Sequence, residues 1–511
     1  MKRFWILLIA LTMALTACGG GSGSTTQAEN SGEIDPDAKL VVADSRISET
    51  LDPHKANNNY DVRYLAPVYD RLIHATADGG IEGGLATEWD FPDELTLELT
   101  LREGVKFHDG EAFNAEAVKL NLERAMTLPD AAPVTKAAVK PIQGIEVIDE
   151  THVRIKLKQE AYGLIYDLAI QPGFMISPKA LNDPSLGMNP VGAGPYKIVS
   201  FAPGDRAVYT RFEDYWEDGV AAAKDLEIVY IANADTRLNA VISGEVHQAF
   251  VEGRQEAQAS GQPDLVVESV PTLSFFNLFI NKTLDDMTND KLRQAVAWAV
   301  DREALTKIVP GDPNIQPFPK SYFAYNKEIP EDEYNYDPEK AKELLAEAGY
   351  PNGVELSAQV YTRPEDQQMT ELLVSQLGKA GITLKLSVVE ANTSEPYMNG
   401  TVSLFLGRFG GRLDPLQTLR TLAGGGGGLN VGGWTTPEFD AILSEIDATQ
   451  EGDERTKLIH DAVQELVDEA LVIPLFSRTV PYVYTNCLVG FEPFLSGSEE
   501  YRGVGLAKDC G

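Results

Sequence analysis

Six histidines, His54, His74, His108, His152, His247 and His460, are scattered along the chain, and no two stand four apart as shared ligation from one helix face requires. His-Glu-x-x-His, Gly-x-Ser-x-Gly and Gly-x-x-x-x-Gly-Lys-Ser/Thr are all absent, so zinc hydrolysis, a nucleophile elbow and a phosphate loop have no local signature. His108-Asp109-Gly110 has the residue types of an acid/base pair but reads as a polar turn after Phe107. Gly192-Ala193-Gly194-Pro195 lacks a third glycine and meets proline at once, unlike a dinucleotide turn. Gly424–Gly428 has no lysine or hydroxyl successor and reads as a loop. Carboxylates are plentiful, but a chain with 77 of them supplies chance pairs freely. The expectation is a protein that binds rather than transforms, with no metal and no cofactor.

The three cysteines divide by position. Lys2 and Arg3 precede an apolar run, Phe4 to Ala14, too short for a permanent span of about 20 residues. It closes on Leu15-Thr16-Ala17-Cys18, which looks like a bacterial lipobox and implies cleavage after residue 17 with a lipid on Cys18. The alternative is an ordinary signal peptide with an incidental cysteine. Residues 18–38 are rich in Gly, Ser and Thr and read as a flexible tether. Cys487 and Cys510 remain as an even pair in an exported chain. Bridged, they would contribute roughly 3 kcal/mol; two separate thiols are the other reading.

With 511 residues, 43% apolar and 23% charged, the chain is globular and long enough for about two to four domains. Formal net charge is −34, and removal of Lys2 and Arg3 with the leader makes it −36, which argues against a nucleic-acid partner. Lys39–Ala43 is a short β-type run, and Thr96–Leu101 and Val153–Leu157 alternate as half-buried strands do. An apolar stripe through Leu292, Val296, Ala299, Val300, Leu305 and Ile308 predicts one helix over 290–308. Asp337-Pro338 is a helix start with Gly349 a stop, and 365–379 and 453–471 predict two more amphipathic helices. The sum is α/β with mixed sheets, strand-rich over 40–230 and helix-rich over 288–470. The apolar stretches 270–282 and 472–484 are candidate crossings between units.

An ordered set of segments resembles the extracytoplasmic solute-binding proteins of the peptide/opine/nickel class, family 5, which serve ABC importers. It comprises Leu51-Asp52-Pro53-His54, Tyr69-Asp70-Arg71-Leu72, Leu85-Ala86-Thr87-Glu88-Trp89, the run Leu101 to Phe113, Asn189 to Tyr196, Tyr215-Trp216, Arg237 with Ser243-Gly244-Glu245-Val246, and Arg293-Gln294-Ala295 leading to Asp301-Arg302. The resemblance implies a type II-like bilobal clamp with an inserted domain. Domain I would be 39–58, 176–272 and 480–511, domain II 59–175, and domain III 273–479. It further implies a monomer that closes on a small molecule or short peptide and docks on a membrane permease and its ATPase, outside the cytoplasm, held to the membrane through Cys18. A secreted hydrolase with dispersed catalytic residues, or a non-transporting surface or signalling lipoprotein, is the alternative.

In peptide-binding relatives a Gly-Trp-x-x-Asp segment supplies the aspartate for the ligand's α-amino group. The matching stretch here is Gly407-Arg408-Phe409-Gly410-Gly411-Arg412-Leu413-Asp414-Pro415, with Gly411 at the aspartate position and Arg408 at the tryptophan. A buried ammonium without a carboxylate is costly. Two forked guanidiniums suit a carboxylate or other anion instead. Arg408 and Arg412 pointing to solvent or pairing with local acids stays open, as does Asp414 taking the amine after a register shift. Further candidate contacts are Phe276 and Asn277 in the crossing stretch, Tyr60, Trp434 after the glycine loop, and Tyr361.

Overall fold

The computed structural model describes residues 32–390, 393 and 395–510. The leader and Cys18 lie outside the described residues. The expected tether over 18–38 ends early, because Lys508 donates from its backbone to Glu33 O (2.9 Å) and Asp35 to Leu506 O (2.8 Å), docking this stretch on the C-terminal segment. Cys487 and Cys510 are joined in a disulfide, Cα atoms 5.7 Å apart, so that same segment is closed covalently.

One long sheet runs through the molecule in the order 382–389, 354–361, 404–409, 265–280, 473–485, 248–250, 39–44, 225–230, 206–211, 196–202, with 311–313 also paired to 473–485. Strand Lys39–Asp44 is parallel to Asp225–Tyr230 and to Gln248–Phe250. Strand Val354–Tyr361 is parallel to Ile382–Val389 and to Leu404–Phe409. Between these two parallel groups run the antiparallel strands Leu265–Ile280 and Ile473–Thr485, which contain the two apolar stretches picked out as crossings. Parallel strands covered by helices on both faces need near-continuous apolar runs, as in KLVVAD. A separate antiparallel sheet, Ala86–Asp93, Thr96–Leu101, His152–Leu157 and Ile142–Val147, is backed by helix Ala115–Thr127. Its alternating strands match that one-sided burial.

The largest apolar core runs without a break from this sheet (Leu97, Leu99, Val153, Ile155) into the helical layer (Leu292, Leu344, Ile459, Leu466). A second core fills the other end around Leu40, Tyr64, Tyr209 and Ile228. Helix Pro338–Glu347 starts where Asp337 accepts from Glu339 and Lys340 N, and Pro364–Lys379 and Asp453–Asp468 form as their periodicity predicts. The single helix expected over 290–308 is two, Asp290–Trp298 and Arg302–Thr306. Asp301 interrupts it by turning its side chain to cap Ala304 N at 3.0 Å. Among the described residues, no helix is long and apolar enough to cross a membrane.

Candidate functional site

A cavity whose space, open solvent included, is about 600 Å³ lies where three parts of the chain converge: helix Leu164–Asp167 and the residues after it, the 410–417 segment following strand Leu404–Phe409, and the 496–500 stretch. Asn59 and Val62, beside the short turn Asn59–Asp61, close another side.

Two charged groups in its wall have no ion pair among the described residues, Arg412 and Asp167. Arg412 is exposed, lies with its guanidinium 5.6 Å from the Phe409 ring centre, and donates to Gly411 O at 3.2 Å. Desolvation draws its pKa down, and the Asp167 charge offsets this. Asp167 is half-buried and accepts from Gln417 Nε2 at 3.0 Å. Desolvation, with Asp414 nearby adding to it, raises its pKa to about 7 despite that bond and the Arg412 charge. The other acids of the wall are already engaged. Glu500 pairs with Arg71, and Asp414 accepts from Arg455 Nη2 at 2.9 Å while capping helix Pro415–Ala423 through Leu416 N at 3.0 Å. A carboxylate so committed is a poor second choice for a ligand ammonium.

Gly411 explains why this wall has no carboxylate at that position. Its φ is +70°, and a Cβ built there would lie 2.4 Å from Leu273 O, so the backbone conformation and the space both exclude a side chain. The departure from the Asp-bearing pattern is therefore part of the local packing.

The remaining expected residues spread along the same face and beyond it. Arg408 is exposed, on strand Leu404–Phe409 opposite Phe276 of the neighbouring crossing strand. Phe276 is buried and stacks on Phe476 with ring centres 4.9 Å apart, and Phe409 packs edge-on to Phe275 at 5.8 Å; neither pair lines the cavity. Asn277 is fully buried, and neither side-chain amide atom has a hydrogen-bond partner among the described residues. Tyr60 is half-buried with the Arg46 guanidinium 5.3 Å from its ring centre. Tyr361 is half-buried against Phe405 at 5.4 Å, under Arg363 at 5.1 Å. Trp434 does not line the cavity; it packs on the helical core with the Arg293 guanidinium 4.9 Å away.

Arg71, Tyr166, Asp167, Gln417 and Glu500 are wall residues that the sequence reading did not pick out. They come from separate stretches of the chain; Arg71 lies in one of the family-like segments, and nothing local marks the others. Arg46 and Arg478 carried a usable signal. Arg46 lies just beyond the carboxyl end of a parallel strand, where α/β sheets place ligands, and Arg478 lies inside an apolar crossing strand. Among the described residues, no group of His, Cys, Asp and Glu is placed to hold a metal ion.

Comparison with known proteins agrees with this architecture. The glutathione-binding protein GsiB of Pectobacterium atrosepticum is 29% identical over 512 residues, spanning 96% of each chain. The solved structure of HbpA2 from Haemophilus parasuis is similar with a TM-score of 0.83 and 26% identity, covering 92% of this chain and 100% of that one. The binding protein AgaA of A. tumefaciens R10, in complex with agropinic acid, gives a TM-score of 0.72 and 25% identity over 92% and 99% of the two chains. The model for bacterial extracellular solute-binding proteins, family 5 Middle, matches residues 80–430. That match spans well over half of the chain, which belongs to the family 5 bacterial extracellular solute-binding proteins.

Proposed function

We propose that this protein is a lipid-anchored receptor of an ABC importer that closes on a small zwitterionic, peptide-like solute and delivers it to a membrane permease. The observation that carries the ligand class is the opposed pair Arg412 and Asp167 in one cavity, each without an ion-pair partner among the described residues. Arg412 suits a carboxylate and Asp167 an ammonium, and the apolar wall of Val62, Ile170, Leu273 and Leu413 suits the stem between them. The glutathione named for GsiB carries both kinds of group, and the agropinic acid bound to AgaA carries the carboxylate. In this reading 39–58, 176–272 and 480–511 make one lobe, 273–479 the other, and 59–175 the inserted domain. The anchor rests on the basic, apolar leader and Leu15-Thr16-Ala17-Cys18.

The test is calorimetric titration of the mature chain with glutathione, short peptides and agropinic acid. Saturable binding without turnover is expected. Arg412→Gln is expected to weaken a peptide by about tenfold and its C-terminal amide far less. Turnover of the ligand, or equal losses for acid and amide, would falsify the reading.

A further inference from the structure

A second group of cations lies along the same face, outside the cavity wall. Arg46 sits two residues past strand Lys39–Asp44, and Arg363 two residues past strand Val354–Tyr361. Arg408 is on strand Leu404–Phe409, and Arg478 on the crossing strand Ile473–Thr485. The parallel register Ala358↔Leu404, Gln359↔Phe405, carried forward, brings the Arg363 end of one strand level with Arg408 on the next. These positions cluster at the carboxyl ends of the parallel strands, on both sides of the crossing strands.

The cluster contrasts with the rest of an acidic chain, in which 77 carboxylates outnumber 43 Lys and Arg. Arg363 lies 3.8 Å from Asp366, while Arg46, Arg408 and Arg478 make no ion pair among the described residues. Asp44, two residues before Arg46, and Glu499 both hold Arg63, at 2.6 and 2.5 Å, and Glu252 is the acid whose charge opposes the cluster at Arg478. Arg408 still reaches solvent, so its desolvation is partial, yet this and the repulsion of Arg478, Arg46 and Arg363 draw its pKa down to about 10, with Asp366 the opposing charge. Four like charges beside Asp366 and Glu252 leave an excess of positive charge, and a forked guanidinium is the side chain best matched to planar acid groups.

We propose that Arg46, Arg363, Arg408 and Arg478 form a second anion subsite spanning both lobes, so that the cargo is a polyacidic, peptide-like solute whose extra carboxylates neutralise the cluster and permit closure. This rests on the receptor reading above and extends it. Arg412 takes one carboxylate, and the four-arginine cluster takes the additional ones. Without that anion, cations from the two lobes repel each other, which makes closure depend on charge as well as fit.

The experiment uses the mature full-length chain and a panel of Gly-Gly, Gly-Glu, Glu-Glu and glutathione, each with its fully amidated counterpart, at low and high salt. Affinity is expected to rise with each added carboxylate, to fall about tenfold in Arg46→Gln and in Arg408→Gln for the acidic probes, and to lose much of its salt dependence in both. Arg254→Gln, at an exposed arginine paired with Asp235, is expected to change nothing. The ligand-free melting temperature of Arg408→Gln should rise, a readout of relieved repulsion that needs no ligand. Acidic probes that bind no better than their amides, or affinities that both variants leave within about twofold, overturn the second subsite. Retained amide binding in that case leaves the receptor reading standing; loss of all saturable binding removes both.

Discussion

Asp167 is the wall residue whose charge state is most sensitive to pH. Its pKa is raised from 3.8 to about 7, so between those values the folded chain holds a proton that the unfolded chain has released. The stability this contributes is complete below 3.8, declines through the window and is gone above about 7. Asp167→Asn should therefore gain melting temperature relative to the parent as pH rises from 5 to 8, and a constant difference would show that the group is ordinary. A second prediction belongs to Gly411. An alanine there must accept a φ of +70° and a Cβ 2.4 Å from Leu273 O. Gly411→Ala should cost about 2 kcal/mol or more in denaturant unfolding. At this scale the 407–415 segment was readable as unusual, because glycine and arginine replaced expected types. Asp167 and Glu500 were not, since their roles arise from neighbours that only the fold supplies.

Helix Asp453–Asp468 shows what one element contributes to holding the site. Its apolar face (Ile459, Ala462, Val463, Leu466) packs into the main core, which the periodicity over 453–471 makes plain. Arg455, on the same helix with a side chain 0% exposed, pairs with Asp414 at 2.9 Å and Glu451 at 2.9 Å, fixing the N-cap of helix Pro415–Ala423 at the cavity wall. Removing one partner leaves a buried carboxylate unpaired, so Arg455→Met should destabilise the chain by about 3–5 kcal/mol. Adding Asp414→Asn should restore a large part of that, and a double-mutant cycle with no coupling would contradict the buried pair. Elements were legible wherever burial is one-sided and periodic, as in Thr96–Leu101, or where a cap and a stop bracket the run, as at Asp337 and Gly349. The break after Trp298 was hidden because apolar spacing continues through Ala299 and Val300 while the backbone turns. Asp301 carries the signal for that turn, through its side-chain capping bond. Pairing order in the long sheet was beyond local patterning, since Leu265–Ile280 and Ile473–Thr485 meet across about 200 intervening positions.

Across the molecule, the four-stranded unit and the segment after it meet the helical layer through the continuous apolar core and, beside the cavity, through polar contacts. Tyr166 donates to Glu451 Oε2 at 3.0 Å and Gln450 Nε2 to Phe91 O at 3.4 Å. Gly163 comes so near that a Cβ would sit 2.6 Å from Asp414 Oδ2. Gln450 and its partner Phe91 are outside the cavity wall, whereas Glu451 holds the wall residue Tyr166, so on the receptor reading weakening the Gln450 contact alone changes the balance between closed and open forms without altering any group the ligand meets. Apparent affinity scales with the fraction of chains able to bind, whichever ligand is offered. Gln450→Ala should therefore weaken acidic and amidated peptides by the same factor, with a larger radius of gyration in solution scattering before ligand is added. The arginine variants behave oppositely, changing the acid-to-amide ratio that the latch variant leaves constant. If the latch variant instead altered the acid-to-amide ratio, the contact would be acting on the ligand itself, and closure of this seam would not be a step separate from recognition.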